Sequence, residues 1–198
     1  MTFKEIQQCI EQVVRKKRMK HILGVVEAAE ELAILYGVDI EKARYAALLH
    51  DCCKEYPLTK QRRLAREDYA RQGLPVDEEL LSYDALLHGL AGAVESMDEY
   101  GVDDPEVLEA IRVHTTGKVD MSTLDKIIFI ADYIEVGRDF PGVNKLRKLA
   151  KENLDVAMLA SYDATILHLL EEGLPIYSQM MLGRNAMLRI VKRGKLHE

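Results

Sequence analysis

The sequence predicts an all-α protein. Three observations carry the prediction. Apolar residues recur at helical spacing along nearly the whole chain. Helix-start signals stand ahead of those runs, as in Thr2 with Glu5, Asp104 with Pro105, and Ser122 with Asp125. No convincing strand alternation and no Asn-Gly hairpin dipeptide occurs.

Thr2 and Glu5 form a capping box, and Phe3, Ile6, Ile10, Val13 and Val14 follow on one helical face. A second helix is predicted from about Met19 to Tyr36, with Gly37 as its stop. Asp39 caps a third, which carries Ala43, Ala46, Ala47, Leu48 and Leu49 and halts before Pro57. Thr59 opens a polar, arginine-rich helix, and residues 77–100 read as one longer helix. Asp104 caps and Pro105 starts "DDPEVLEAIRVH". Ser122 and Asp125 start "STLDKIIFIADYIE", where the cap favours helix over the buried strand that "KIIFIADYI" alone would also suit. "GRDFPGVN", residues 137–144, is the most loop-like interior stretch, and two or three helices fill residues 144–193. With no repeat, low-complexity segment or clear linker, residues 1–198 read as one domain. Its site-bearing core spans about 18–140, followed by C-terminal helices at about 144–193.

At 198 residues the chain can bury a core without disulfides or structural zinc. No apolar run approaches the roughly 20 residues of a membrane span. The opening "MTFKEIQQCIEQVV" is amphipathic and contains acids, unlike a signal peptide, so a cytoplasmic protein is expected. Three cysteines, Cys9, Cys52 and Cys53, make a poor disulfide framework, and no CxxC occurs to hold zinc through thiolates. A net charge of −6 disfavours nucleic-acid binding. The basic run "RKKRMK" reads as a solvated helix end, except that Arg18 shares a helix face with His21.

The candidate chemistry lies in histidines on apolar faces or at helix ends. His21, His50, His88 and His114 qualify; His168 and His197 are left outside the site. His50 stands beside Asp51 at the end of an apolar helix. Asp132 is a carboxylate within another, and such a group must be paired or bound to a cation. One metal site compensates all of these side chains together. Imidazole and carboxylate suit iron, manganese, cobalt and zinc alike. Asp51 can bridge two ions with its two oxygens. Lys54, three residues after Asp51 and four after His50, projects over the same face and can hold a phosphoryl oxygen, unless it is a solvated lysine closing on Glu55. Arg138, six residues after Asp132, can grip a phosphate or simply sit in an exposed loop. The hydroxyls of Thr115 and Thr116 and the backbone of Gly117 suit phosphate or ribose, although a helix stop would look the same. In "LPIYSQ", Ile176 and Tyr177 offer an apolar face or a loop anchor.

The order His21, His50-Asp51, Asp132 resembles the H…HD…D pattern of the HD superfamily of metal-dependent phosphohydrolases. His88 and His114 match the two extra histidines of its binuclear members. "AALLHDCCKEYP", "LLHGLAGA", "AIRVHTTG", "LDKIIFIADYIEVGRDF" and "GRNAML" resemble the bacterial HD-domain family that cleaves diadenosine tetraphosphate symmetrically, over Arg18 to about Asn185. The resemblance implies an HD-domain helical bundle whose C-terminal helices complete the nucleotide pocket. It implies one metal, iron, on His21, His50, Asp51 and Asp132, and a second on Asp51, His88 and His114. It gives Asp51 and Lys54 catalytic roles. It assigns substrate contacts to Arg18, Lys54, His88, His114, Thr115, Arg138, Pro175, Ile176 and Tyr177. The reaction it implies is attack by a metal-bound hydroxide on a dinucleoside polyphosphate, giving two ADP (or GDP). Another HD phosphohydrolase, acting on nucleoside monophosphates or phosphodiesters, stays open. So does a non-catalytic HD protein that senses nucleotide or docks on RNA, and so does the choice between monomer and homodimer.

Overall fold

The computed structural model describes residues 1–194; His197 lies outside them. These residues form eleven α-helices and one 3-10 turn: α1 (Phe3–Val13), α2 (Lys16–Tyr36), α3 (Ile40–Leu49), α4 (Leu58–Gln72), α5 (Glu78–Ser82), the 3-10 turn Asp84–Leu86, α6 (Leu87–Asp98), α7 (Pro105–Val113), α8 (Thr123–Ile134), α9 (Val143–Glu152), α10 (Leu154–Glu171) and α11 (Ser178–Gly194). Among the described residues there is no strand, so the all-α expectation holds.

The starts follow side-chain chemistry. Thr2 with Glu5 and Ser122 with Asp125 form complete capping boxes, and Asp39 and Asp104 each accept two backbone amides of the first turn. Gly37 closes α2 in the left-handed region. Three boundaries differ from expectation. α2 begins at Lys16, and α4 begins at Leu58 with Pro57 as its cap. The long helix expected over residues 77–100 is broken, because Tyr83 is extended (φ −100°, ψ 97°). The break is held by donors from elsewhere in the chain. Arg62 of α4 donates to the Leu81 carbonyl and to Asp84 Oδ1, and Lys54 Nζ donates to the Ala85 carbonyl.

α2 packs on α3 and α8. α7 closes against α3, α6 and α8; α4 rides on α6; α10 joins α8 to α9 and α11. One apolar cluster runs through these layers, from Ile6 and Ile10 through Leu48, Ile111 and Ile127 to Met187. Each such fully buried aliphatic side chain contributes roughly 1.5–3 kcal/mol relative to exposure. A smaller cluster joins Ala65, Leu80, Leu81, Leu87, Leu90 and Tyr177, and ties the α10–α11 loop to the broken segment. The stacking leaves the C-terminal ends of α3 and α7, the start of α6 and one face each of α2 and α8 pointed at a common centre.

Candidate metal centre

His50 and His114 are the C-caps of α3 and α7. Both rings turn back on their own helices. His50 Nδ1 donates to the Ala47 carbonyl and His114 Nδ1 to the Ile111 carbonyl, each at 2.7 Å. That pattern assigns the tautomer: the Nδ1 proton is used, and each Nε2 carries a lone pair facing inward. After His50 the chain tightens into successive three-residue turns, with Cys52 N bonded to the Leu49 carbonyl and Lys54 N to the Asp51 carbonyl. Side chains three apart line up in such turns, so Asp51 and Lys54 face the same way.

Asp51 is at the centre and only 4% exposed. Its two oxygens serve two sides. Oδ2 lies 3.7 Å from His21 Nε2 and 3.6 Å from His50 Nε2. Oδ1 lies 3.2 Å from His88 Nε2 and 3.9 Å from His114 Nε2. Arg18 Nη1 also meets Oδ2, at 2.6 Å. On one side His21 Nε2 stands 3.1 Å from Asp132 Oδ1 and 3.4 Å from His50 Nε2. On the other, His88 and His114 bring their Nε2 atoms to 3.0 Å. Asp132 is half-buried rather than sunk in apolar surroundings, and Arg138 covers it, donating from Nη2 to Oδ1 and from Nε to the Asp132 carbonyl.

These donors fit divalent metal. His21, His50 and Asp132 each offer a ligand atom within 4.8 Å of the others, and so do His50, Asp51 and His114. His50 Nε2 and His21 Nε2 face each other at 3.4 Å, a contact that a metal ion or a shared proton would satisfy. The donor set is nitrogen and oxygen only, which suits a hard or borderline ion. The electrostatics agree. Burial opposes the ionised form of Asp51, yet the surrounding His50, His88 and His114 outweigh it and hold the carboxyl well below its usual range. Burial pushes the His88 pKa down; it lowers that of His114 to about 3, aided by the adjacent imidazoles of His88 and His50. Both stay neutral, as ligands must be. His21 goes the other way: burial works against its charge, but the carboxylates of Asp132 and Glu135 prevail and raise it.

The sign for stability follows. His114 has a folded pKa below its unfolded value of about 6.5, so its contribution is present above pH 6.5 and is lost as pH falls toward 3. Metal-stripped protein should lose roughly 1 kcal/mol from this group alone between pH 6.5 and 5.5. Chemical denaturation of the stripped protein at both pH values checks it; a flat profile would contradict the geometry of the imidazole pair.

Lys54 is half-buried, and burial lowers its pKa. Its Nζ lies 3.1 Å from His88 Nδ1 and 3.3 Å from the Ala85 carbonyl. It does not close on Glu55, which pairs with Arg15 at 2.9 Å. Thr115 Oγ1 and Arg18 Nε are buried without a hydrogen-bond partner among the described residues. Thr116 instead donates to the Gly117 carbonyl. Pro175, Ile176 and Tyr177 are not brought among the ligands. The Tyr177 hydroxyl donates to Asp77 Oδ2 at 2.6 Å, and its ring packs on Tyr83, 6.0 Å between centroids. His168 is exposed on α10.

One functional side chain escapes the sequence reading. Glu135 is 4% exposed, and its Oε1 accepts from His21 Nδ1 at 3.2 Å, which aims His21 Nε2 at the centre. The carboxylate fits only because position 24 is glycine: a Cβ there would lie 2.6 Å from Glu135 Oε2. The available signal was "DYIE", whose Glu135 lies three residues past Asp132, as the cap that ends α8. Glu135→Gln should weaken metal affinity by about 10–100-fold with the fold intact. Metal titration against a competing chelator measures it, and unchanged affinity would show that the Glu135–His21 contact does not tune the ligand.

Residues 18–137 match the HD domain, the class to which a helical bundle closed around a His-Asp pair corresponds. The chain is 43% identical over 181 residues to the symmetrical bis(5'-nucleosyl)-tetraphosphatase of Halalkalibacterium halodurans, covering 91% of this chain and 94% of that one. It is 37% identical over 186 residues to the Bacillus subtilis protein of the same name, covering 93% and 97%. It therefore belongs to the HD domain family of symmetrical bis(5'-nucleosyl)-tetraphosphatases. The crystal structure of a predicted HD superfamily hydrolase involved in NAD metabolism from Clostridium acetobutylicum superposes with a TM-score of 0.88 at 41% identity, over 96% of this chain and 98% of that one.

Proposed function

We propose that this protein hydrolyses diadenosine tetraphosphate to two ADP. The observation that supports it most is the inward convergence of His21, His50, Asp51, His88, His114 and Asp132 in a chain similar along almost its full length to enzymes of that name. Divalent ions on these donors supply positive charge toward phosphoryl oxygens and make a water more acidic. His21, His50 and Asp132 would hold one ion and His88 and His114 a second, with Asp51 available to either because its oxygens face both groups. Iron is the metal that the family likeness favours, and a cytoplasmic enzyme fits the reduced, largely buried thiols.

The protein's own residues do the remaining work. Arg18 holds Asp51 from the open side, and its buried Nε is left to donate to a phosphoryl oxygen. Lys54, with a depressed pKa in a half-buried position, donates a proton or a hydrogen bond toward the departing phosphate. Thr115 Oγ1 gives an uncommitted hydroxyl beside His114. Arg138, whose side chain is 40% exposed and anchored on Asp132, can swing part of its guanidinium onto an outer phosphate. The 174–179 loop, docked beside the Lys54 end through Tyr177 and Tyr83, supports one nucleoside.

Incubation of purified protein with diadenosine tetraphosphate and Fe²⁺, Mn²⁺ or Co²⁺, followed by nucleotide chromatography, should give ADP alone. AMP with ATP would reject the symmetrical assignment, and no product with any metal would reject the substrate.

A further inference from the structure

A cavity of about 1080 Å³ lies between α9 and α10 and shares Asp132 and Arg138 with the metal centre. That volume is just above the range of about 300–1,000 Å³ over which small-molecule sites run. Its walls are mainly apolar, with aromatic side chains on one side and charged groups at the rim. Tyr133 and Phe140 stand edge to face on one side, with centroids 5.3 Å apart. Ala160 and Ala164, one helical turn apart on α10, leave a shallow strip for a flat ring. His168 stands at the exposed rim beside Asp163, whose Oδ1 accepts from Arg184 Nε at 2.7 Å, and Lys145 presents an exposed ammonium on the α9 wall.

A substrate cut at its middle phosphoanhydride puts that bond at the metal donors, so its two nucleosides must leave the centre in two directions. One direction is the Lys54–Ala85 end, beside the docked 174–179 loop. At the other end, Asp132 and Arg138 open into the cavity. We propose that the cavity between α9 and α10 is the subsite for the second nucleoside of the dinucleoside polyphosphate, with Lys145 attracting the phosphates that lead to it. The inference rests on the substrate reading above.

ADP titrated into metal-loaded protein by calorimetry should give two sites per chain. Ala160→Phe, which fills the strip, should leave one. The ratio of kcat/KM for diadenosine tetraphosphate over adenosine tetraphosphate, which lacks the second nucleoside, should fall about tenfold or more in that variant. Lys145→Glu changes an exposed side chain, so it should shift the same ratio the same way without risk to the fold. A single ADP site in the wild type, or a ratio unchanged in both variants, would overturn the subsite. Wild-type protein that binds two ADP but leaves diadenosine tetraphosphate uncut would support the subsite and refute the substrate instead.

Discussion

Asp51→Ala is expected to abolish turnover, with kcat falling by roughly 10³-fold or more, or about 4 kcal/mol of transition-state stabilisation. The two oxygens of Asp51 are divided between the two halves of the centre. Its Oδ2 side holds His21, His50 and Arg18; its Oδ1 side holds His88 and His114. Alanine would remove the shared donor, and Arg18 would be left beside the pocket without its acceptor. The fold should survive, since the position ends a helix whose core contacts come from Leu48 and Leu49. The measurement is kcat together with bound metal by elemental analysis and a thermal melt. A variant that stays within about tenfold of wild type would remove Asp51 from the chemistry.

Gly89→Ala is expected to damage stability and the site together. A Cβ at position 89 would lie 2.7 Å from the Arg112 carbonyl oxygen and 3.1 Å from that of Ile111. Both are backbone atoms, so no rotamer relieves the clash and α6 must back away from α7. Such overpacking costs about 1–3 kcal/mol. The better helix propensity of alanine offsets up to about 1 kcal/mol of it. A drop in Tm of up to roughly 8 °C follows for a chain of this size. The displacement also falls on the chemistry, because His88 precedes Gly89 and the Ile111 carbonyl aims His114. The 3.0 Å approach of those two rings should open, with about a tenfold loss or more of metal affinity on that side. Differential scanning calorimetry and metal stoichiometry test both parts. An unchanged Tm with full metal content would mean that the contact is looser than the geometry requires.

The same glycine shows how far the sequence could be read. The small residues of "ALLHGLAGA" would let another helix approach closely, which is as much as the sequence says. Which helix approaches is not a local property; α7, more than ten residues on, supplies the carbonyls. The broken segment at 77–100 is the opposite case. Its own residues favour continuous helix, and the break is held by Arg62 and Lys54, whose donors come from 19 to 31 residues away. Glu135 was hidden for a related reason. A glutamate at a helix end reads as solvated, and it is buried here only because Gly24 and Gly137 make room for it.

The sequence by itself determined the helical class, most helix starts and the six ligand types, since caps, periodicity and apolar neighbours act within a few residues. Only the tertiary structure decided that the two oxygens of Asp51 face different histidines, that Glu135 stands behind His21, and that a cavity opens beyond Asp132. Those features depend on distances between helices, which packing sets through contacts scattered along the whole chain.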